Sequence, residues 1–253
     1  MLNLVSFGND SAMPPLLIVH GLFGSARNWG AIARRMADGR RVVTVDMRNH
    51  GDSFWAASHS YADMAGDLAE VIETEGTPMD VVGHSMGGKA AMVLALTRPD
   101  LINRLVVTDI APVPYDHSNL HLVAAMQAMD LTGLSSRADA DRRLAGAVPD
   151  AGTRAFLLQS LDLKADPPRW RLNLDVLGED MANVTGWPEI SGRFEGPVLF
   201  LAGGDSQYVR TEHREKIKRL FPKAIMAKIP GAGHWLHADK PREFEAALRV
   251  FLT

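Results

Sequence analysis

The sequence predicts an α/β protein whose central sheet is mostly parallel and flanked by helices, and three patterns support this. Short apolar runs alternate with helical segments along the chain, which is typical of parallel strands joined by crossover helices. Polar or glycine-rich loops follow these runs, as expected at the carboxyl ends of strands, where such sheets bind ligands. Only residues 112–195 lack strand patterns, which indicates an inserted helical segment.

Seven strands are predicted from the apolar runs. Residues Leu16–Val19 are four branched apolar residues in succession, which indicates a strand buried on both faces. The first run precedes a polar turn and indicates a short edge strand. In chain order, the predicted strands are residues 2–7, 16–19, 42–45, 79–83, 105–108, 198–202 and 225–229.

Four helices are predicted around this sheet. Trp29, Ile32 and Met36 recur at helical spacing after the second strand. Ser60 has the character of an N-cap, and Asp63 three residues later predicts a capping box. A proline suits the first turn of the last helix. The predicted helices are residues 26–37, 61–75, 89–97 and 241–252.

The segment 112–195 is interpreted as a helical cap inserted into an α/β core formed by residues 1–111 and 196–253. Helical patterns occur near residues 119–129, 136–145, 153–161 and 172–182, and prolines separate them. A cap would cover the site and shape the substrate pocket. The alternative is that these helices only complete the hydrophobic core.

The composition is that of an ordinary globular protein, with 46% hydrophobic and 23% charged residues. The net charge of −3 gives no reason to expect nucleic acid or an anionic membrane as a partner. The absence of cysteine excludes a cysteine nucleophile and thiolate metal sites, and it fits a cytoplasmic protein. The first ten residues lack signal-peptide features, and no apolar run approaches the ~20 residues that span a bilayer.

The motif G-x-S-x-G occurs at Gly83-His84-Ser85-Met86-Gly87 and predicts a nucleophile elbow. An apolar run leads into it and a helical run leads out, which is the strand–turn–helix context that the motif requires. Ser85 is the predicted nucleophile, and the Met86 N–H is a predicted oxyanion donor. The alternative is a glycine-rich turn with an unreactive serine.

A serine nucleophile needs a base, and a histidine is the simplest base near neutral pH. His234 is the best candidate because it follows the last strand in a glycine-rich loop. The base needs an orienting carboxylate, and two aspartates follow strands at the same predicted edge. Asp109 lies 109 − 85 = 24 residues after Ser85, and Asp205 lies 234 − 205 = 29 residues before His234. Both give the order serine, acid, histidine, so these residues leave the acid open.

The loop His20-Gly21-Leu22-Phe23-Gly24 follows the second strand and is predicted to provide the second oxyanion donor, the N–H of Leu22 or Phe23. His20 is predicted to hold this loop, and His84 to face away from the chemistry. Five aromatic residues are candidates to line a substrate pocket: Phe23, Trp170, Trp187, Tyr208 and Trp235.

No cofactor or metal is predicted. His117 and His121 are four apart, a spacing that can bind zinc on a helix, but no third ligand is evident. A Walker-type phosphate loop and a dinucleotide-binding fingerprint are absent.

The motifs H-G-L-F-G, D-M-R-N-H-G-x-S, G-H-S-M-G-G and G-A-G-H-W together resemble the α/β-hydrolase superfamily, over almost the whole chain except the cap. D-I-A-P-V, G-G-x-S-x-Y-V and A-G-H-W-x-H-A are similar to small bacterial YbfF-like esterases and ABHD-type hydrolases. The resemblance implies the α/β-hydrolase fold, an eight-stranded sheet with a helical cap, and ester hydrolysis without a cofactor. The N-terminus is short for the family's first hairpin, which leaves room for one strand fewer.

Within that branch the aspartate matching Asp109 recurs, which favours Asp109 as the acid, whereas the usual superfamily position favours Asp205. Asp109 is therefore the predicted acid, and Asp205 is the alternative. Relatives that resemble haloalkane dehalogenases and epoxide hydrolases carry aspartate at the elbow. Ser85 therefore disfavours those reactions.

The sequence is interpreted as a serine carboxylesterase that hydrolyses small, fairly apolar acyl esters through an acyl-enzyme intermediate. Its expected partner is a small-molecule ester; the oligomeric state is left open. The alternatives are a thioesterase, lactonase or carbon–carbon bond hydrolase with the same triad, and a non-catalytic fold that binds a small ligand.

Overall fold

A seven-stranded sheet forms the centre of the chain, and the computed structural model describes all residues, Met1–Thr253. The strands are β1 (Asn3–Phe7), β2 (Leu16–Val19), β3 (Val42–Asp46), β4 (Met79–His84), β5 (Ile102–Thr108), β6 (Leu161–Asp162), β7 (Arg169–Trp170), β8 (Val198–Gly203) and β9 (Ala224–Ile229). The order across the sheet is β1-β3-β2-β4-β5-β8-β9, while β6 and β7 form a separate antiparallel pair. The predicted mostly parallel α/β architecture is confirmed.

The sheet has seven strands where the family resemblance implied eight. Of its pairs only β1 with β3 is antiparallel, with Asn3 opposite Asp46 and Phe7 opposite Val42. The residues that precede β2 form this one edge strand and no hairpin. All other neighbours in the sheet are parallel, so the carboxyl ends of β2 to β5, β8 and β9 lie at one edge.

Eleven α-helices surround the sheet. They are α1 (Gly30–Met36), α2 (Tyr61–Glu75), α3 (Met86–Thr97), α4 (Leu120–Ala128), α5 (Arg137–Leu144), α6 (Ala151–Leu157), α7 (Leu174–Glu179), α8 (Met181–Thr185), α9 (Arg214–Leu220), α10 (Leu236–Asp239) and α11 (Pro241–Leu252). The helix predicted at 26–37 begins as a 3₁₀ turn, and the one predicted at 172–182 divides at Asp180 into α7 and α8.

The start of α2 shows half of the predicted capping box. The Ser60 Oγ accepts a hydrogen bond from the Asp63 N–H at 3.2 Å. The Asp63 carboxylate accepts from the hydroxyls of Ser60 and Ser58, so it does not return a bond to the Ser60 backbone. The helix ends at Gly76, whose φ of 74° is the left-handed conformation of a C-terminal cap.

Both faces of the sheet are buried. In β2, Leu17 and Val19 belong to a core of 54 residues on one face, while Leu16 and Ile18 belong to a core of 17 residues on the other. Side chains of a strand alternate between faces, so four successive branched residues fill both. Helices α2 and α3 contribute to the larger core, and α1 and α11 contribute to the smaller one.

The segment 112–195 lies between β5 and β8 and contains α4 to α8. Its buried residues Leu144, Leu157 and Leu177 belong to the same continuous core as α2 and α3. The segment therefore extends the hydrophobic core. It also contains the two-residue strands β6 and β7, which the sequence did not predict because two residues carry no readable alternation.

Helix α8 is tied to the core near the elbow by polar contacts. The Tyr61 hydroxyl donates to the Val184 carbonyl at 2.6 Å. The buried Lys89 Nζ donates to the carbonyls of Thr185, at 2.9 Å, and Gly186. Burial lowers the pKa of Lys89 to about 7. These contacts fix the end of α8 against α2 and α3.

We expect Asp80→Asn to destabilise the fold strongly. Asp80 and Arg40 form an ion pair of 2.6 Å in which both side chains are almost fully buried. The substitution keeps the shape of the side chain but leaves the guanidinium buried without its counter-charge, which costs about 3–5 kcal/mol. The free energy of unfolding in urea measures this. The exposed pair Arg98–Asp100 supplies the control, since Asp100→Asn should barely move the midpoint. Equal shifts for both variants would contradict the prediction.

We expect the buried ring of His59 to make the fold less stable in acid. Its ring is fully buried, and burial, with a smaller contribution from the Arg48 charge, lowers its pKa from 6.5 to about 4. The unfolded chain therefore binds this proton first, so the stability present above pH 6.5 falls as the pH drops towards 4, by about 2 kcal/mol between pH 6.5 and 4.5. His59→Gln should flatten the dependence of unfolding free energy on pH in this window. His121 lies on an exposed face of α4, so His121→Gln is the control and should leave the pH dependence of the unfolding free energy as in the parent. If His59→Gln also left this pH dependence unchanged, the account would be refuted.

Candidate active site

Ser85 occupies a sharp turn between β4 and α3. Its backbone lies at φ 52° and ψ −119°, a conformation that a non-glycine residue holds only under strain. Hydrogen bonds from the Ser85 N–H to the Thr108 carbonyl and from the Lys89 N–H to the Ser85 carbonyl, both 3.0 Å, hold the turn. A Cβ at Gly83 would collide with the Gly87 backbone, which explains why the motif needs glycine here. The turn lifts the Ser85 hydroxyl away from the backbone.

The structure brings Ser85, His234 and Asp109 together. The His234 Nε2 lies 3.1 Å from the Ser85 Oγ, and its Nδ1 lies 2.7 Å from the Asp109 Oδ2. A carboxylate only accepts, so Nδ1 donates, and in the neutral ring Nε2 is left to accept from the serine hydroxyl. The arrangement has the geometry of a nucleophile, a base and an orienting acid.

The Asp109 carboxylate is fully buried and accepts three hydrogen bonds. Besides His234, the Gly203 N–H donates to its Oδ1 at 2.9 Å and the Ser206 hydroxyl donates to its Oδ2 at 2.5 Å. The backbone of Asp109 lies at φ 50°, a second left-handed residue at the site. These contacts orient the carboxylate towards the imidazole.

The alternative acid, Asp205, is not placed at the imidazole. Its side chain is exposed and forms no hydrogen bond, while its backbone N–H donates to the Ala232 carbonyl at 3.0 Å. The next residue, Ser206, points inward and contacts Asp109 instead. Both aspartates follow strands at the same edge, but only Asp109 faces His234.

The loop after β2 contains two of the candidate oxyanion donors, the N–H groups of Leu22 and Phe23. The Phe23 N–H donates to the His50 Nε2 at 3.1 Å, so it is not available to a ligand. The Leu22 N–H has no acceptor within the protein. Met86 is the first residue of α3, where an N–H has no intrahelical acceptor. Of the three candidates for oxyanion donors, Leu22 and Met86 are therefore the two whose N–H groups have no acceptor within the protein.

Buried histidines hold this loop, as predicted for His20. The His20 Nδ1 donates to the Gly21 carbonyl at 2.8 Å, and its Nε2 accepts from the Met47 N–H at 2.9 Å. The His50 Nδ1 donates to the Arg48 carbonyl at 2.9 Å, which leaves its Nε2 as the acceptor for Phe23. Burial lowers the pKa of both rings, so each stays neutral with one donor and one acceptor.

His84 does not face away from the site, contrary to the prediction. Its Nε2 donates to the His234 backbone carbonyl at 2.8 Å, and the two rings lie 4.8 Å apart. Burial holds the pKa of His84 well below its usual range. The ring of Tyr208 stacks on His234 with centroids 4.0 Å apart. His84, Tyr208, His50 and Ser206 thus position the site, although sequence reasoning assigned no such role to any of them.

A cavity of about 410 Å³ opens at Ser85. Three of the five aromatic residues predicted for the substrate pocket line it: Phe23, Tyr208 and Trp235. Trp170 does not, because it lies buried in the segment 112–195 and its Nε1 donates to the Met126 carbonyl at 2.9 Å. Trp187 lines a different depression, next to α9.

His117 and His121 do not lie together on one helix, as the zinc-binding spacing would need. His117 precedes α4, and its Nε2 contacts the Tyr208 hydroxyl at 2.8 Å. No three His, Asp or Glu side chains are grouped so as to hold a metal ion. None of the helices combines the length and apolar character needed to cross a membrane.

Comparison with known proteins places this geometry in a family. The model of the alpha/beta hydrolase fold matches residues 14–241. The mouse sn-1-specific diacylglycerol lipase ABHD11 is 44% identical over 254 residues, covering 96% of this chain and 82% of the relative. Esterase YbfF of Escherichia coli is 37% identical over 248 residues, covering 97% and 95%.

A solved structure described as a marine microorganism esterase superposes with a TM-score of 0.94 at 36% identity, covering 99% of this chain and 98% of that one. These findings confirm the resemblance that the motifs indicated. The chain belongs to the α/β-hydrolase family and is an enzyme with hydrolase activity.

Proposed function

We propose that this hydrolase is a serine carboxylesterase that acts on small, fairly apolar acyl esters, with Ser85 as nucleophile, His234 as base and Asp109 as orienting acid. The observation that carries the proposal is the continuous hydrogen-bonded line Ser85 Oγ–His234 Nε2 and His234 Nδ1–Asp109 Oδ2, of 3.1 and 2.7 Å. Ser85, at one end of this line, lies in the wall of the 410 Å³ cavity.

In the first half-reaction, the Ser85 Oγ attacks the ester carbonyl carbon as its proton passes to the His234 Nε2. The tetrahedral intermediate collapses to an acyl-serine, and the leaving alcohol takes the proton from Nε2. In the second half-reaction, water loses a proton to Nε2 and attacks the acyl-serine, which releases the acid and restores Ser85. The Asp109 carboxylate stabilises the imidazolium that forms in each half.

The N–H groups of Leu22 and Met86 are the proposed oxyanion hole. Both lie next to Ser85, and the contact between His50 and Phe23 keeps the loop of Leu22 in place. Each donor contributes roughly 3 kcal/mol to lowering the barrier, because it faces the position where negative charge develops.

The segment 112–195 is the proposed cap. It supplies much of the apolar wall of the cavity, including Leu122, Val148, Phe156 and Leu157. This wall supports an apolar substrate. The names of the two relatives, a lipase and an esterase, support an ester as the bond that is cleaved.

A comparison of Asp109→Asn with Asp205→Asn tests which of the two aspartates orients His234. We expect Asp109→Asn to lower kcat for p-nitrophenyl acetate by about 10³- to 10⁴-fold, because the imidazole loses the carboxylate that orients it and stabilises its charge. Asp205→Asn is the matched control at the same sheet edge and should keep nearly full activity. Comparable losses in both variants, or none in Asp109→Asn, would contradict the assignment of the acid.

A fluorophosphonate probe tests the nucleophile directly. The parent should be labelled covalently at Ser85, as located by peptide mass analysis, and Ser85→Ala should be neither labelled nor active. Retained ester hydrolysis in Ser85→Ala would refute the mechanism. Absence of both labelling and hydrolysis in the folded parent would favour a fold that only binds a ligand.

A further inference from the structure

Ser85 lies at the junction of two cavities of very different size. The large one has a volume of about 410 Å³ and the small one about 30 Å³. Leu22, Ser85, Asn119 and Tyr208 line both and form their common boundary. An ester carbon bound to Ser85 therefore has two separate spaces for its two substituents.

The two cavities differ in their relation to the base. His234 and Trp235 line the large cavity but not the small one. Met86, on the oxyanion side of the elbow, lines the small cavity but not the large one, together with Ile110 and Val184. The imidazole thus faces one space only.

The need to protonate the leaving alcohol decides which cavity holds the alcohol group of the ester and which holds the acyl group. The leaving alcohol oxygen must receive its proton from the His234 Nε2, so the alcohol group occupies the cavity that the imidazole lines. The acyl group bonded to the same carbon then lies on the other side, in the small cavity. The assignment rests on the proposed function, because it requires His234 to be the proton donor.

We propose that this enzyme is specific for esters that join a very short acyl group, such as acetyl, to a large apolar alcohol. The small cavity has less than a tenth of the volume of the large one, so it suits a short acyl group but not a long chain. The large cavity lies in the range of sites that enclose whole small molecules.

The walls of the small cavity are held in place. The Val184 carbonyl accepts from the Tyr61 hydroxyl at 2.6 Å. The Tyr115 hydroxyl accepts from the Ala111 N–H at 2.9 Å and donates to the Tyr208 carbonyl at 2.7 Å. Widening this cavity would disturb these hydrogen bonds, of which the one between Tyr61 and Val184 is buried, so a longer acyl chain is not readily accommodated.

Two isomeric esters test the proposal on the unaltered protein. Hexyl acetate and ethyl hexanoate have the same formula and similar alkoxide leaving groups, so they differ mainly in which side of the carbonyl carries the long chain. Acid release followed by pH-stat titration gives kcat/KM for each. We expect hexyl acetate to be favoured by at least about tenfold, since even one misfitting methylene can cost that much. Equal values, or a preference for ethyl hexanoate, would overturn the proposal.

Two valine-to-alanine variants localise the effect. Val184→Ala removes two methyl groups from the small cavity, and Val148→Ala removes the same groups from the large one. We expect Val184→Ala to raise the kcat/KM ratio of ethyl butanoate to ethyl acetate by about tenfold, while Val148→Ala leaves this ratio unchanged. Equal ratios in both variants would contradict the assignment of the acyl group.

The outcomes separate failure of the inference from failure of the proposed function. If Ser85 is labelled by the fluorophosphonate and both esters are cleaved without the expected preference, the esterase mechanism stands and the assignment of the cavities falls. If Ser85→Ala cleaves the esters as well as the parent does, or neither protein cleaves them, both proposals fall together.

Discussion

The arrangement of the site depends on the buried carboxylate of Asp109. It accepts hydrogen bonds from the Gly203 N–H, the Ser206 hydroxyl and the His234 imidazole, and these donors come from two segments at one sheet edge, the end of β8 with its following loop and the loop after β9. A buried carboxylate without such partners would be costly, so these two segments are held where their donors satisfy it. The position of the imidazole over Ser85 follows from this arrangement.

Buried neutral histidines form a second layer of support. His20 and His50 hold the loop of Leu22, and His84 holds the backbone of His234. A neutral imidazole provides one donor and one acceptor in a rigid ring, so it can connect two backbone segments without burying a charge. The low pKa that burial gives these rings keeps them in this form. The site therefore combines His234, the proposed base, with several histidines that hold the surrounding backbone.

The strands and the elbow were predictable because their signals are local. Four branched residues in Leu16–Val19 indicate burial on both faces, and G-x-S-x-G indicates the turn. The residues alone did not decide between Asp109 and Asp205, since both follow strands at the same edge and the direction of each side chain depends on donors in distant loops. Only the family resemblance favoured Asp109. His84 was mispredicted for a similar reason, because its partner lies 150 residues away in the chain. The direction of a side chain at a loop is decided by tertiary contacts, which linear patterns do not contain.

The division of the cavity walls has an evolutionary consequence. Leu122, Val148 and Phe156, from the part of the segment 112–195 around α4 to α6, line the large cavity, whereas Val184 in α8 lines the small one. Helix α8 is fixed by Tyr61 and Lys89, and α4 to α6 carry no such contact to the elbow helix. Lineages that diverge from a common ancestor can therefore alter the first group by drift and selection while the second stays constant.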